Sequence, residues 1–549
     1  MTTKLEARPR TPAVRLINIA RILIAGLGGV AVYFSYEPHG FASAGVAGIM
    51  LFYLALAPWP VANVSSAGGV AGAGSAGQPT AQRGALLGFV HGFCAYVLLL
   101  PWVGEFVGAL PWIALSVTLA LWSILTGTLG VLVARWRWGF IAFAFVYSAV
   151  EFLLSTFPFG GFSWVRLAWG QINGPLANLA PWGGPALITF ATVLLAASLA
   201  AVLLVLVSRE RNKRTVAAPA FATSAVVLAV AFLAGLSINT PGPTTGEVTV
   251  GAVQGNVPRM GLDFNSQRRA VLANHVNVTK ELAASGEKPE LVFWPENSSD
   301  VNPFRDREAR DLITEAVQAV DAPVLVGTLT RDEVGDRNTA VVFDPLTGAG
   351  DFHHKRFLQP FGEWMPMRNF FRIFSSYVDM AGDFKPGNGD GTVRMGGHVV
   401  GVATCYEVAF DAAYRDAVKA GAQILTTPTN NATFGFTDMT YQQLAMSRIR
   451  AMETDRAVVV VATSGVSAIV HPDGTVSQHT EIFQPAYLVE KLPLRDSVTF
   501  AVRYGQIIQW LLALGGAAVM VAASVGARRG YASNRNEMPL RIGRRDNDI

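Results

Sequence analysis

The sequence predicts a multi-span α-helical membrane bundle of about eight transmembrane helices, joined to an α/β domain outside the bilayer. Three observations carry this. The chain is 51% hydrophobic and only 15% charged over 549 residues, too apolar for an ordinary water-surrounded globule. The excess sits in residues 15–240 and 505–526, whereas 245–495 has normal globular composition. Within that segment, short β-branched runs alternate with amphipathic helical stretches, which is the pattern of an α/β fold.

Crossing a bilayer takes about 20 apolar residues. Eight stretches qualify: 16–35, 43–62, 85–104, 110–133, 138–157, 184–207, 217–239 and 505–526. The first is too long for a signal-peptide core and lacks a small-residue cleavage site, so it counts as a span. The loops after the first and third spans, SYEPHGF and EFVGA, hold no Lys or Arg, and the long loop after the fifth holds Arg166 alone. The intervening loops carry Arg83, then Arg135 and Arg137, then Arg209, Arg211, Lys213 and Arg214. Basic loops mark the cytoplasmic side. The expected layout is a cytoplasmic tail at 1–15, seven helices over 16–240, an extracytoplasmic domain at 245–495, an eighth helix at 505–526 and a basic, disordered cytoplasmic tail at 527–549. The stretch GGVAGAGSAGQPTAQ (68–82) reads as a cytoplasmic linker. Its glycines lack the strand–turn–helix setting of a phosphate-binding loop.

In the globular segment the strand-like runs are 248–255, 291–296, 324–329, 339–345, 399–405, 422–430, 457–465 and 467–474. Their near-continuous apolar character predicts burial on both faces. Helical patterns fall at 265–285, 306–320, 409–420 and 438–454. The net charge of +4 does not argue for nucleic acid, because the basic residues cluster at helix ends and in the tails. Two cysteines, Cys94 and Cys405, make no disulfide framework and read as free thiols. No CxxC, HExxH or ligand-spaced cluster occurs in the sequence, so neither a metal nor a cofactor is expected.

Three strand ends carry chemistry-bearing residues. LVFWPE ends in Glu296, the run through DFHHKRFLQPFGEW presents Lys355 and Glu363, and VVGVATC ends in Cys405. A thiol is a weak nucleophile until a base takes its proton, and an ammonium nearby favours the thiolate and steadies an oxyanion. Taken singly, each has a blander reading: a small core cysteine, a turn glutamate, a solvated lysine. His353 and His354 beside the lysine read as surface residues. The ordered combination is what points to nucleophilic catalysis.

Glu, then Lys, then Cys at successive strand ends resembles the nitrilase (carbon–nitrogen hydrolase) superfamily. KRFLQPFGEWMP and CYE, with eight spans around the domain, resemble more narrowly the apolipoprotein N-acyltransferase family, as do YSAVEFLLSTFPFGGFSW (147–164) and RIRAMETDRAVVVVATSGVSAIV (448–470). The resemblance implies an α-β-β-α sandwich with Glu296 as general base, Lys355 as oxyanion stabiliser and Cys405 as nucleophile. It implies supporting roles for Glu363, Tyr406, Glu407 and Asn338, and a substrate entrance near Trp364, Phe361, Phe264, Glu151 and Trp164. NNATFG (430–435) and GFSW depart from the family pattern, and Phe264 stands where the family has a tryptophan. The implied partners are a phospholipid acyl donor, a diacylglyceryl-apolipoprotein acceptor and membrane lipid, with no nucleic acid and a monomeric chain. The aromatic arm 357–380 reads as dipping into the lipid interface.

Two other classes compete. A membrane-tethered amidase using water as acceptor shares the triad but needs one helix rather than a bundle. A transporter or lipid-binding receptor would need no Glu/Lys/Cys set, and paired ionisable groups forming a route are not seen in the spans.

Overall fold

The computed structural model describes residues 12–59, 78–105, 108–207, 214–238, 242–257, 268–374 and 376–536. Phe264, most of the linker at 68–82, most of the basic loop at 209–214 and the tail beyond 536 lie outside the described residues.

All eight expected spans are helices: α1 (Pro12–Tyr33), α2 (Ala42–Leu56), α3 (Ala81–Leu99), α4 (Ala109–Val133), α5 (Gly139–Leu154), α6 (Ala180–Val207), α7 (Arg214–Ile238) and, after the globular part, α13 (Phe500–Asn536). Six are long and apolar enough to cross a membrane, while α2 and α5 are shorter apolar helices of 15 and 16 residues. The expected eight full spans are thus six plus two short ones. The apolar run at 43–62 outlasts its helix because Ala57, held extended before Pro58, cannot continue it. After α5, Pro158 and two left-handed glycines, Gly160 and Gly161, turn the chain. Residues 155–179 then form irregular turns, and Trp164, Val165, Leu167 and Trp169 of this loop are buried in protein, the setting that non-helical backbone requires near a membrane. At its far end α13 continues as helix through 527–536, where disorder was expected.

The globular part holds helices α8 (Arg268–Ala284), α9 (Arg307–Val320), α10 (Arg368–Phe371), α11 (Asp411–Lys419) and α12 (Met439–Thr454). Its strands are β1 (Gly246–Gln254), β2 (Leu291–Phe293), β3 (Val324–Arg331), β4 (Asp336–Asp344), β5 (Gly348–His354), β6 (Thr392–Met395), β7 (His398–Val402), β8 (Ile424–Thr429), β9 (Val458–Ala462), β10 (Ala468–Val470), β11 (Val476–His479) and β12 (Ala486–Leu494). They form two six-stranded sheets, ordered β12-β1-β2-β3-β4-β5 and β11-β10-β9-β8-β7-β6. In each sheet the inner pairs are parallel: β1–β2–β3 and β7–β8–β9.

Val250, Phe293 and Leu325 of one sheet interleave with Val400, Ile424 and Val459 of the other. The outer face of the first sheet packs on α8 and α9 through Leu272, Val276, Ile313 and Val317. On the second sheet, α11 and α12 contribute Tyr414, Ala417, Met446 and Ile449 to the same packed cluster as Phe52, Phe143, Trp164 and Trp169 of the membrane part. The protein is therefore an α-β-β-α sandwich seated by its α11–α12 layer on a helical bundle. The strands missing from the sequence reading, β5, β6, β11 and β12, are edge or near-edge strands whose solvent-facing residues dilute the apolar signal.

Candidate active site

Glu296 follows β2, Lys355 follows β5, and Cys405 opens a one-turn helix, Cys405–Ala409, just after β7. Glu296 and Cys405 thus lie at the carboxyl ends of parallel-paired strands, one from each sheet, where α/β folds leave an open crevice, while Lys355 ends the antiparallel edge strand β5. The three side chains are 5%, 3% and 5% exposed.

The Lys355 ammonium lies 2.9 Å from Glu296 Oε1 and 2.9 Å from Glu363 Oε2. Asn338, on β4, donates both amide hydrogens to the same carboxylates, at 2.7 Å to Glu296 Oε1 and 2.9 Å to Glu363 Oε1. Glu296 Oε2 accepts from the Asn430 backbone N–H at 3.1 Å, and Glu363 Oε2 from that of Gln359 at 2.8 Å. β3 lies close beneath: a Cβ on Gly327 would come within 2.3 Å of the Pro295 carbonyl and 2.7 Å of Glu296 Cα.

Burial alone would lower the Lys355 pKa, but Glu296 and then Glu363 outweigh it and hold the lysine well above its ordinary value, so it is charged. Glu363 is raised, chiefly by burial, against the pull of Lys355. Cys405 is pushed up to about 12, first by burial and then by Glu296, with Lys355 opposing. The ammonium does pull the thiol toward thiolate, as expected, but burial and Glu296 outweigh it. A thiol shifted in that direction needs a base to take its proton before it can act as a nucleophile.

Cys405 sits at φ 53°, a left-handed conformation that costs a non-glycine residue about 1–3 kcal/mol and persists where surroundings over-determine it. Glu407 supplies much of that constraint. Its carboxylate accepts from the backbone N–H groups of Thr404 at 2.7 Å, Arg356 at 2.7 Å and Phe357 at 3.0 Å. One side chain thereby ties the Cys405 turn to the strand end that carries Lys355. Tyr406 donates to the Gly161 carbonyl at 3.3 Å and stacks on Trp164, with ring centroids 6.4 Å apart.

Trp164, expected at a substrate entrance, is instead 1% exposed and donates to Gln442 Oε1 at 2.8 Å. Glu151 is half-buried, accepting from Leu167 N at 2.9 Å and facing Arg166 at 3.6 Å. It also borders a cavity of about 30 Å³ inside the bundle, lined in part by Tyr36, His91, Tyr96 and Tyr147 and separate from the Glu296–Lys355–Cys405 cluster. Phe361 is exposed and Trp364 half-buried, and both meet Phe159 edge-on.

His353, read as a surface residue, is buried at 4% exposure, with Nε2 4.0 Å from Glu407. It lies two residues before Lys355, and the period-two alternation of β5 turns both side chains inward. Thr429, on β8 beside the thiol, and the Asn430 N–H have no signature in the sequence. Among the described residues no group of three or more His, Cys, Asp or Glu is placed to hold a metal ion.

The carbon–nitrogen hydrolase family model matches residues 249–495, and the apolipoprotein N-acyltransferase N-terminal domain model matches 28–198. The chain is 42% identical to the apolipoprotein N-acyltransferase of Mycolicibacterium smegmatis over 90% of its own length and 84% of that protein. It is 26% identical to that of Geobacter metallireducens, over 94% and 98% of the two chains. With that of Pseudomonas paraeruginosa the identity is 29%, over 86% and 94%. Sandwich, bundle and full-length similarity agree: this chain belongs to the apolipoprotein N-acyltransferase family.

Proposed function

We propose that the protein transfers an acyl chain from a phospholipid to the α-amine of a diacylglyceryl-cysteine lipoprotein by way of a Cys405 thioester. The sulfur attacks the ester carbonyl while Glu296 takes the thiol proton, and Lys355 stabilises the tetrahedral oxyanion. Collapse breaks the ester C–O bond, and Glu296 returns the proton to the leaving alkoxide, releasing lysophospholipid. The lipoprotein amine then attacks the thioester and loses a proton to Glu296. The C–S bond breaks, the amide forms and the thiol is restored. Splitting one transfer into two steps predicts ping-pong kinetics.

One observation carries the reading: a buried carboxylate–ammonium–carboxylate cluster beside a cysteine held in a left-handed turn. Glu363 and Asn338 keep Lys355 and Glu296 in register, so the ammonium is fixed before charge develops. The setting suits lipid substrates. Withdrawing an acyl chain into water costs about 0.8 kcal/mol per methylene, so the thiol belongs near the lipid surface. The arm exposes Phe361, Met367, Phe370, Ile373, Phe374 and Met380, an apolar edge suited to the interface. The charge alternation of the loops supports a catalytic domain outside the cytoplasm, with both termini inside.

The test is the mass of a model diacylated lipopeptide incubated with phospholipid and the protein. Wild type should add one acyl chain and Cys405→Ala none. Release of free fatty acid without lipopeptide acylation would mean hydrolysis and overturn the reading.

A further inference from the structure

A second charged cluster lies beneath the nucleophile turn, where sandwich and bundle meet. Arg166, in the loop after α5, pairs with Asp411 at 2.8 Å and faces Glu151 of α5 at 3.6 Å. Asp411 Oδ1 also pairs with Arg450 at 2.9 Å, and Arg450 reaches Glu453. Glu453 Oε1 pairs with Arg415 at 2.7 Å. Three carboxylates thus face three guanidiniums, and the Arg166 and Arg450 guanidiniums both lie over Trp169, at 5.8 and 5.1 Å from its ring.

The cluster touches the catalytic turn directly. Arg450 donates through Nε to the Val408 carbonyl at 2.9 Å and through Nη2 to that of Ala409 at 3.0 Å, and both carbonyls belong to the Cys405–Ala409 turn. On the other side it is set into the bundle. A Cβ on Gly184, where α6 breaks, would come within 2.4 Å of Arg415 Nη2 and 2.6 Å of Glu453 Oε1. A Cβ on Gly505 of α13 would come within 2.6 Å of the same Arg415 nitrogen. Bare glycine backbone on two spans therefore admits the Arg415–Glu453 pair, and Arg166 brings in α5.

Buried ion networks seldom out-stabilise well-packed apolar side chains, and their best-attested use is to enforce one register. Here the register is that of a strained turn that has to present sulfur to Glu296 and Lys355. We infer that Arg166 and Asp411 are positioning residues through which the membrane helices set the geometry of the nucleophile turn. The inference rests on Cys405 being the nucleophile. Arg166 and Asp411 act through Arg450 and do not touch the reacting atoms. The membrane part is then a component of the catalytic apparatus as well as an anchor.

The experiment uses full-length protein in detergent micelles with phospholipid, following acyl-enzyme formation by mass spectrometry. Arg166→Met leaves two half-buried carboxylates under-compensated and could unfold the chain, so the deciding variant is the charge-balanced Glu151→Gln/Arg166→Met. It should melt as a folded protein and acylate at least about tenfold more slowly, since misplacement by about 1 Å can cost 100-fold. The phospholipid concentration giving half-maximal rate should not change. Arg166→Lys, which keeps the charge, should recover most of the rate. Wild-type acylation at full rate in the folded double variant overturns the inference. Loss of folding in that variant also overturns it, by assigning the network to stability alone. Failure of the underlying reading shows separately, as absence of acyl-enzyme in wild type.

Discussion

Lys355→Met tests how far one cation supports both stability and chemistry. Its ammonium compensates two carboxylates, each 2.9 Å away. Removing it takes the trio from net −1 to −2 in a buried site. Both carboxylate oxygens lie 2.9 Å from the same ammonium nitrogen, hence less than about 6 Å apart, and at an effective dielectric near 20 Coulomb repulsion is about 3 kcal/mol. That matches the roughly 3–5 kcal/mol measured when one partner of a buried pair is removed. One carboxyl should respond by taking up a proton, and Glu363, already raised, is the candidate. A fall in melting temperature of about 5–10 °C follows for a domain of this size. Acylation should fall roughly 100- to 1000-fold as the oxyanion loses its partner. The double variant Lys355→Met/Glu363→Gln separates the two effects: it removes the repulsion and should regain most of the melting temperature, while acylation stays lost. Thermal melts and acyl-enzyme mass spectra in the same detergent read both. Acylation within threefold of wild type in Lys355→Met, or no thermal gain from adding Glu363→Gln, would refute the reasoning.

Two further outcomes follow from the geometry. Burial holds His353 neutral, with its pKa lowered to about 4 from an ordinary 6.5. The unfolded chain binds the extra proton first, so this stability is fully present above about pH 6.5 and is lost as pH falls toward 4. The displacement corresponds to about 3 kcal/mol. His353→Gln should flatten the slope of unfolding free energy between those pH values, and an unchanged slope would assign the acid sensitivity elsewhere. In the arm, Ile373 is 77% and Phe374 64% exposed. Ile373→Ser/Phe374→Ser should raise the phospholipid KM in vesicles about tenfold with kcat little changed, from the apolar area each side chain would bury in lipid. An unaltered KM would mean the arm does not engage the bilayer.

Much of the architecture was present in local pattern. Long apolar runs report membrane helices whatever surrounds them, because the bilayer rather than the fold is their solvent. The doubly buried strands β1–β3 and β7–β9 announce themselves for the same reason, since each must be apolar along its length. The order Glu296, Lys355, Cys405 was legible because strand ends are local features. Span length at α2 and α5 was not, because Pro58 and the Pro158–Gly161 turn act on backbone geometry and leave hydropathy untouched.

What tertiary structure alone decided is which of these residues meet, and in what charge state. A window of sequence cannot show that Glu363, Asn338 and the Asn430 N–H converge on Glu296 and Lys355, or that His353 turns inward. Nor can it show that burial and Glu296 push the Cys405 thiol up against the pull of Lys355. Arg166 reads as a lone cation in a loop, and Asp411 as a helix-start acid. Their pairing, 245 residues apart in the chain, exists only because the sandwich sits on the bundle. Composition and periodicity fix what a segment can bury. Electrostatics depends on distance through space, which only the folded chain supplies.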